Sequence, residues 1–152
     1  MGKIWKYLYR AVDSHGDTIE FMVSPERDKQ AAKRFFRKTL AATHAPDPRT
    51  ITVDKNPAFP KAITELKKEG TLAKDCKLRR IKYLNNIVEQ DHRFIKRLVR
   101  PGLGFFSFET AWKTLTGFEV MNMIRKGQIR GVPRGDILGQ VSFISLVFGL
   151  AG

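Results

Sequence analysis

The sequence is short of cysteine, of long apolar runs and of acidic residues. Among its 152 residues there is one cysteine, Cys76, which excludes a disulfide framework and a zinc site built from several cysteines. No stretch reaches the roughly 18 uninterrupted apolar residues of a membrane span, and the nearest, Val141 to Leu150, is broken by serine and glycine. The first residues have no apolar segment typical of a secretion leader. We therefore expect a cytoplasmic protein that does not enter a membrane.

Acidic residues are greatly outnumbered by basic ones. Fifteen Asp and Glu face 28 Lys and Arg, which gives a formal net charge of +13. Such an excess on a chain of this size favours a polyanionic partner, most often nucleic acid. The basic residues are spread along the chain among apolar ones, whereas a disordered arm would concentrate them in a block. A folded domain is therefore expected to carry the positive surface, and the length fits one such domain.

The pattern of apolar residues predicts alternating strands and helices. Strands are predicted over 4–12, 18–23, 50–53 and 76–83, and helices from Ser24, over 60–69, from Asn85 or Asn86 to Val99, from Ser107 to near Gly127, and over 135–151. The first two strands should form a hairpin. Ser24 is expected to cap the first helix, with Pro25 at its first position. This order predicts an α/β fold with one mixed sheet and extra helices at its C-terminal end.

Two acidic residues stand out by their positions. Asp54 follows a short β-branched strand, at the kind of strand end where polar groups concentrate in α/β sheets. Glu89 lies in the first turns of the helix that follows Asn86, with 34 residues between the two acids. Carboxylate oxygens are the ligands that Mg²⁺ prefers, so the pair could bind a divalent metal ion. The alternative is that both are solvated partners of Lys and Arg, as most surface acids are.

The surroundings of Glu89 favour a metal site beside a phosphate backbone. At helical spacing one side of the predicted helix carries Glu89, His92, Arg93 and Lys96, and another carries Val88, Ile95 and Val99. His92 is three residues from Glu89, so it is either a metal ligand or, more often, a hydrogen-bonding residue that is structural or faces DNA. The alternative for the whole pattern is an ordinary amphipathic helix in which Glu89 pairs with Arg93.

Several stretches resemble the DDE transposases of bacterial insertion sequences. They are Tyr7-Leu8-Tyr9-Arg10-Ala11-Val12-Asp13, Val53-Asp54-Lys55-Asn56-Pro57, Tyr83-Leu84-Asn85-Asn86-Ile87-Val88-Glu89-Gln90-Asp91-His92-Arg93, Arg100-Pro101-Gly102-Leu103-Gly104-Phe105 and Ile124-Arg125-Lys126-Gly127-Gln128. The resemblance covers nearly the whole chain. It is greatest to the branch that forms cointegrates by replicative transposition and separates its last two catalytic acids by 34 residues.

The resemblance implies a ribonuclease H-like core that cleaves and joins double-stranded DNA with two Mg²⁺ or Mn²⁺ ions. It makes Asp54 and Glu89 the second and third catalytic acids and metal ligands, and it places Lys96 on the terminal DNA strand. The remaining DNA-binding residues expected from the matched segments are Lys55, Asn56, Asn86, His92 and Arg93. It further implies a homo-oligomer acting on paired DNA ends, located at the bacterial nucleoid.

The chain also departs from the pattern of these enzymes. Their first catalytic Asp lies on a strand that precedes the strand 4–12, and a helix-turn-helix domain precedes that strand. We therefore expect residues 1–152 to be one catalytic domain that is incomplete at its N-terminus and inactive alone. Asp13, on a neighbouring strand, is not expected to replace the first Asp. The alternatives are a non-catalytic DNA-binding fragment that inhibits the full-length transposase, and an unrelated RNA-binding protein.

Overall fold

The computed structural model describes residues 6–42, 47–81, 86–102, 105 and 107–150. Its strands are β1 (Tyr7–Val12), β2 (Thr18–Ser24), β3 (Thr50–Val53) and β4 (Lys77–Arg80), and its helices are α1 (Lys29–Leu40), α2 (Ala58–Lys68), α3 (Asn86–Val99), α4 (Phe108–Lys126) and α5 (Ile137–Val147). The order predicted from the sequence is confirmed. The chain divides into two compact units, Met1–His92 and Arg93–Gly152, and α3 contributes to both. The expectation of a single domain stays a prediction.

The hairpin of β1 and β2 is confirmed. The two strands are antiparallel, with Tyr9 opposite Met22 and an irregularity between Ala11 and Val12. The carboxylate of Asp13 holds the turn, because its Oδ1 accepts hydrogen bonds from the backbone N–H groups of His15 at 2.8 Å and Asp17 at 2.9 Å. Asp13 therefore has a structural role in the turn. The predicted start of this strand, residues 4 and 5, lies outside the described residues.

The first helix begins four residues later than the sequence suggested. Ser24 is the last residue of β2, paired with Tyr7, and its Oγ accepts a hydrogen bond from the N–H of Glu26 at 3.2 Å. The N-cap of α1 is Asp28, whose Oδ1 accepts from the N–H of Ala31 at 2.7 Å. The assignment of Ser24 and Pro25 to the helix start was therefore wrong. Pairing with β1 keeps Ser24 extended, and Asp28 satisfies the first N–H groups of the helix instead.

The core of the first unit lies between α1, α2 and the inner sides of the strands. The buried members are Tyr9, Ala31, Ala32, Phe35, Phe36, Val53, Ala58, Ala62, Ile63, Leu66, Leu72 and Cys76. The rings of Phe36 and Phe59 meet edge to face at 5.7 Å, a favourable geometry for aromatic pairs. Cys76 is a free cysteine that is buried in this core. Burial raises the pKa of its thiol, which keeps it uncharged.

The strands differ from the one mixed sheet that was expected. Over the described residues they form two ladders, antiparallel β1–β2 and parallel β3–β4, with Thr50 opposite Lys77 and Val53 opposite Arg80 in the second. Each ladder has two strands, and both contribute residues to the same core. Burial against α1 and α2 therefore holds these short strands, since a pair of strands is marginally stable without such packing.

The second unit contains the end of α3 followed by α4 and α5. A 3-10 turn, Arg100–Gly102, ends α3 where the sequence predicted a stop. Ser107 caps α4 as expected, and Ala111 and Leu115 are buried. Met121 is exposed although it is apolar, whereas the polar side chains of Glu119 and Asn122 are buried. No described helix is both long enough and apolar enough to cross a membrane.

Candidate functional site

Asp54 lies at the C-terminal end of β3, where the sequence placed it, and it shapes the turn into α2. Its Oδ1 accepts a hydrogen bond from the N–H of Asn56 at 2.8 Å. In the same way, Oδ1 of Asn56 accepts a hydrogen bond from the N–H of Ala58 at 2.9 Å. Asp and Asn favour such turns because their side chains bond the backbone two residues ahead. Oδ1 of Asp54 is therefore bonded within the turn, and its other carboxylate oxygen, Oδ2, is not.

The second oxygen of Asp54 faces a cation. Its Oδ2 lies 3.4 Å from Nη2 of Arg27, and both side chains are about half exposed, 46% for Asp54 and 51% for Arg27. An ion pair with this exposure holds its partners loosely, because water screens the attraction. Next to it, Arg80 at the end of β4 donates to the carbonyl oxygen of Lys55 at 3.2 Å. The β3–α2 turn therefore presents one accessible carboxylate oxygen among basic side chains.

The other group of predicted site residues lies on α3. Glu89 is in the first turn and is exposed, and it makes no hydrogen bond or ion pair with any described residue. The alternative interpretation, in which Glu89 pairs with Arg93, is therefore not supported by the described residues. His92 is half-buried, whereas Arg93 and Lys96 are exposed. Asn86 begins the helix, and its side chain lies outside the described part of the chain.

A buried ion pair that the sequence reasoning missed joins α3 to β1. Nη2 of Arg10 bonds Oδ2 of Asp91, and the two side chains are only 1% and 7% exposed. At helical spacing Asp91 lies on the same side of α3 as buried Ile95. A carboxylate on the apolar side of a helix is the pattern that could have revealed this contact. It matters for the site because Asp91 is two residues from Glu89.

Four cations at the C-terminal half of α3 surround an open cavity. Arg93, Lys96, Arg97 and Arg100, together with Pro101, line a space of about 740 Å³. Arg93, Lys96 and Arg100 make no ion pair with any described residue. We call these four residues the α3 basic cluster. The sequence reasoning named two of its members and missed Arg97 and Arg100, because it followed one face of the helix and stopped before its last turn.

Nearby packing orients part of this cluster. The guanidinium of Arg125, in α4, lies 4.3 Å from the centre of the Phe94 ring, and that of Arg97 lies 6.0 Å from the same ring. Cations are attracted to the faces of aromatic rings over such distances. Arg125 also donates to Oδ1 of Asn122 at 3.0 Å. Phe94 therefore links α3 to α4 within the second unit.

The chemistry of Asp54 and Glu89 suits a divalent metal ion. Both offer hard carboxylate oxygens, and neither is committed to a strong ion pair. Among the described residues, no group of three or more His, Cys, Asp or Glu side chains could hold a metal together. The described part of the chain thus supplies two carboxylates of the right chemistry and not a complete ligand set.

Comparison with known proteins explains why the chain carries both Asp54 and Glu89. Residues 1–128 match the model of a protein family described as a DDE domain, and this span contains both Asp54 and Glu89. The chain belongs to the DDE transposases of insertion sequences. The resemblance seen in the sequence motifs is thereby confirmed, and the mixed α/β architecture with small sheets agrees with it.

Two named relatives of this DDE domain come from Staphylococcus aureus. The transposase for insertion sequence-like element IS431mec and the transposase for insertion sequence element IS257 in transposon Tn4003 are each 34% identical to it over 129 residues. Each alignment covers 84% of this chain and 54% of the relative, so the chain spans about half the length of these transposases. An uncharacterized protein of Yersinia pseudotuberculosis, pYV0051, is 39% identical over 74 residues, which are 48% of this chain and 69% of that protein. No solved structure matches the chain.

Proposed function

We propose that the chain acts in DNA transposition as the catalytic part of an insertion-sequence transposase, with a ribonuclease H-like core. Asp54 and Glu89 are its metal-binding acids, and the α3 basic cluster binds the DNA backbone. The observation that carries the proposal is the position of Asp54. It is a half-exposed carboxylate at the C-terminal end of a parallel strand, inside the segment that matches the DDE domain.

The roles of individual residues follow from their surroundings. A bound Mg²⁺ or Mn²⁺ ion would activate the attacking hydroxyl group and stabilise the leaving oxygen of the phosphodiester. Asp54 would hold the ion through Oδ2, since Oδ1 is bonded to Asn56. Nη2 of Arg27 lies 3.4 Å from this oxygen in a half-exposed ion pair, so a bound ion would replace Arg27 as its partner and leave the guanidinium available to a DNA phosphate. Glu89 is exposed in the first turn of α3 and accessible to the same ligand.

Two carboxylates are fewer than the two-ion reaction requires. We infer that this chain alone binds one ion weakly and does not carry out strand transfer. We propose that the reaction needs a further acid and an oligomer on paired DNA ends, and that the working protein acts at the bacterial nucleoid, where such DNA is found. A chain that binds DNA without cutting would act as an inhibitor of a complete transposase. That alternative function needs the same DNA contacts and no metal.

Metal binding tests the proposal. We expect Mn²⁺, titrated into the chain and followed by electron paramagnetic resonance of the free ion, to bind at one site. Asp54→Asn and Glu89→Gln should each weaken this binding, because each removes a charged oxygen ligand. The matched controls are Asp75→Asn, an exposed acid in a loop, and Glu109→Gln, an exposed acid in the first turn of α4 as Glu89 is in α3.

The outcomes separate the two functions. Equal affinities in all four variants would show that Asp54 and Glu89 do not form the site. If the chain binds DNA but takes up no Mn²⁺, the inhibitor function is favoured. Mg²⁺-dependent strand transfer by the unmodified chain, abolished in Glu89→Ala, would contradict the inference that it is inactive alone.

A further inference from the structure

Arg27 lies in the short turn between β2 and α1, and the backbone on both sides of it is held. On one side the N–H of Glu26 donates a hydrogen bond to Oγ of Ser24 at 3.2 Å. On the other side Asp28 caps α1 by accepting from the N–H of Ala31 at 2.7 Å. Because neither neighbour can shift without breaking a hydrogen bond, the turn fixes the point from which the Arg27 side chain extends.

The guanidinium of Arg27 contacts both an aromatic ring and a carboxylate. Its Cζ is 5.9 Å from the centre of the Tyr7 ring in β1, and its Nη2 is 3.4 Å from Oδ2 of Asp54. A cation is attracted to the face of an aromatic ring over such a distance. Two weak attractions therefore keep the guanidinium beside the end of β3, although the Arg27 side chain is 51% exposed.

At this position Arg27 competes with a metal ion for Asp54. Oδ1 of Asp54 accepts from the N–H of Asn56 at 2.8 Å, which leaves Oδ2 as the oxygen that an ion would use. Mg²⁺ binds a carboxylate oxygen at about 2.0–2.1 Å, so it would lie next to a guanidinium that stayed at its present distance. Like charges so close together repel each other. Arg27 must therefore move away before the carboxylate can hold a divalent ion.

A DNA phosphate is the ligand that can draw Arg27 away from Asp54. Guanidinium groups bind phosphate through two parallel, charge-assisted hydrogen bonds, which are stronger than one long contact to a carboxylate. Among the described residues Asp54 is the only acid with which Arg27 forms an ion pair. The neighbouring Arg34 of α1 pairs instead with Glu26 at 4.0 Å. Release of Arg27 therefore frees the carboxylate of Asp54, and release of Arg34 does not.

We propose that Arg27 couples DNA binding to metal binding at Asp54. Without DNA, its guanidinium pairs with Oδ2 and lowers the affinity of the site for a divalent ion. A phosphate of bound DNA takes over the guanidinium, and the carboxylate is then free to bind the ion. This coupling rests on the proposed metal-binding role of Asp54. Because coupling between two ligands is reciprocal, bound metal raises the affinity for DNA by the same factor.

Titration of Mn²⁺ without DNA, followed by electron paramagnetic resonance of the free ion, gives the first test. Arg27→Gln should bind Mn²⁺ about two- to fivefold more tightly than the unmodified chain, the range expected when a half-exposed ion pair no longer competes. Arg34→Gln is the matched control, since it removes the same charge from a side chain of similar exposure, 54%. It should leave the affinity unchanged.

Two further measurements locate the effect at Asp54 and in DNA binding. In an Asp54→Asn background, Arg27→Gln should not change Mn²⁺ binding, because the oxygen for which the two cations compete has lost its charge. A short duplex should raise the Mn²⁺ affinity of the unmodified chain and of Arg34→Gln more than that of Arg27→Gln, after Mn²⁺ bound by the duplex alone is subtracted. Unchanged circular dichroism in every variant ensures that these differences do not reflect unfolding.

The outcomes distinguish failure of the coupling from failure of the metal site. Equal Mn²⁺ affinities in Arg27→Gln and Arg34→Gln, with binding still weakened in Asp54→Asn, would overturn the coupling and leave the site in place. An effect of Arg27→Gln that persists in the Asp54→Asn background would overturn it too, as would a duplex that acts equally on both arginine variants. If neither the unmodified chain nor Arg27→Gln takes up Mn²⁺, the metal-binding role of Asp54 fails and the coupling fails with it.

Discussion

At the scale of single residues, the Arg10–Asp91 pair is the contact with the greatest consequence. Both faces of β1 are covered, because Tyr9 lies in the core with α1 and α2 while Arg10, on the opposite side, meets Asp91. The two charges are almost completely removed from water. Burying a charge is costly unless its partner stays in place, so each residue depends strongly on the other. This dependence fixes the first turns of α3, and Glu89 with them.

We expect Asp91→Asn to lower the free energy of unfolding by about 3–5 kcal/mol, because it leaves a buried guanidinium without its counter-charge. The double variant Arg10→Met with Asp91→Leu removes both charges and should recover most of that loss. Urea denaturation of the single and double variants measures both effects. A loss in the double variant equal to the sum of the losses in Arg10→Met and in Asp91→Leu, each measured alone, would show that the residues do not interact energetically.

At the scale of elements, α1 and α2 are joined by ion pairs as well as by their apolar core. Nζ of Lys33 lies 2.8 Å from Oε2 of Glu65, and Nη2 of Arg37 lies 2.8 Å from Oε2 of Glu69. Hydrogen bonds from Lys29 and Lys33 lower the pKa of Glu65 from 4.5 to about 2. Those from Lys33 and Arg37 also lower the pKa of Glu69. These acids therefore serve the packing of two helices and do not neutralise the basic side chains on α3.

The pH dependence of the free energy of unfolding should reveal how much the ion pairs of Glu65 stabilise the protein. A carboxyl group whose pKa is lower in the folded state stabilises the protein above its unfolded pKa, and that contribution disappears as the folded pKa is reached. For Glu65 the loss should begin near pH 4.5 and be complete near pH 2. Melting temperatures of the unmodified chain and of Glu65→Gln should therefore converge as the pH falls through this window. A constant difference between them would show that the ion pairs of Glu65 do not contribute.

The sequence predicted the order of elements well, and the places where it failed have local causes. The apolar pattern identified α1, but Ser24 and Asp28 are both good cap residues, and strand pairing at Ser24 decides between them. Whether β1 and β3 share a sheet depends on hydrogen bonds between distant segments, which no local pattern contains. For the same reason the sequence identified Asp54 and Glu89 as separate candidates, and could not provide their surroundings.

At the scale of the whole molecule, the distribution of charge determines where DNA can bind. The net charge is +13, yet Lys29, Lys33 and Arg37 face acids on α2. The α3 basic cluster differs, since it has four cations around one open cavity. Phosphate groups that contact such cations release bound counterions, and this release makes binding depend on salt. The cluster should therefore dominate the affinity for duplex DNA.

Salt titration of DNA binding checks this expectation. In a plot of the logarithm of affinity against that of salt concentration, each lost phosphate contact reduces the slope by about 0.9. Arg93→Gln with Arg100→Gln should therefore reduce it by about 1.8. The control is Lys61→Gln with Lys68→Gln, which removes the same charge from exposed positions on α2. Equal slopes in the two double variants would mean that DNA responds to net charge and not to the cluster.

The ion pair between Arg10 and Asp91 also affects how the chain folds during its synthesis. Arg10 and Asp91 are 81 residues apart, and a ribosome adding about 5–20 residues per second needs roughly 4 to 16 seconds to pass from one to the other. During that interval the β1–β2 hairpin is complete in sequence, while Asp91, whose carboxylate pairs with Arg10, has not yet been added to the chain. The side of β1 that carries Arg10 is therefore exposed to solvent during that interval. The native contact between Arg10 and Asp91 forms only when α3 emerges from the ribosome.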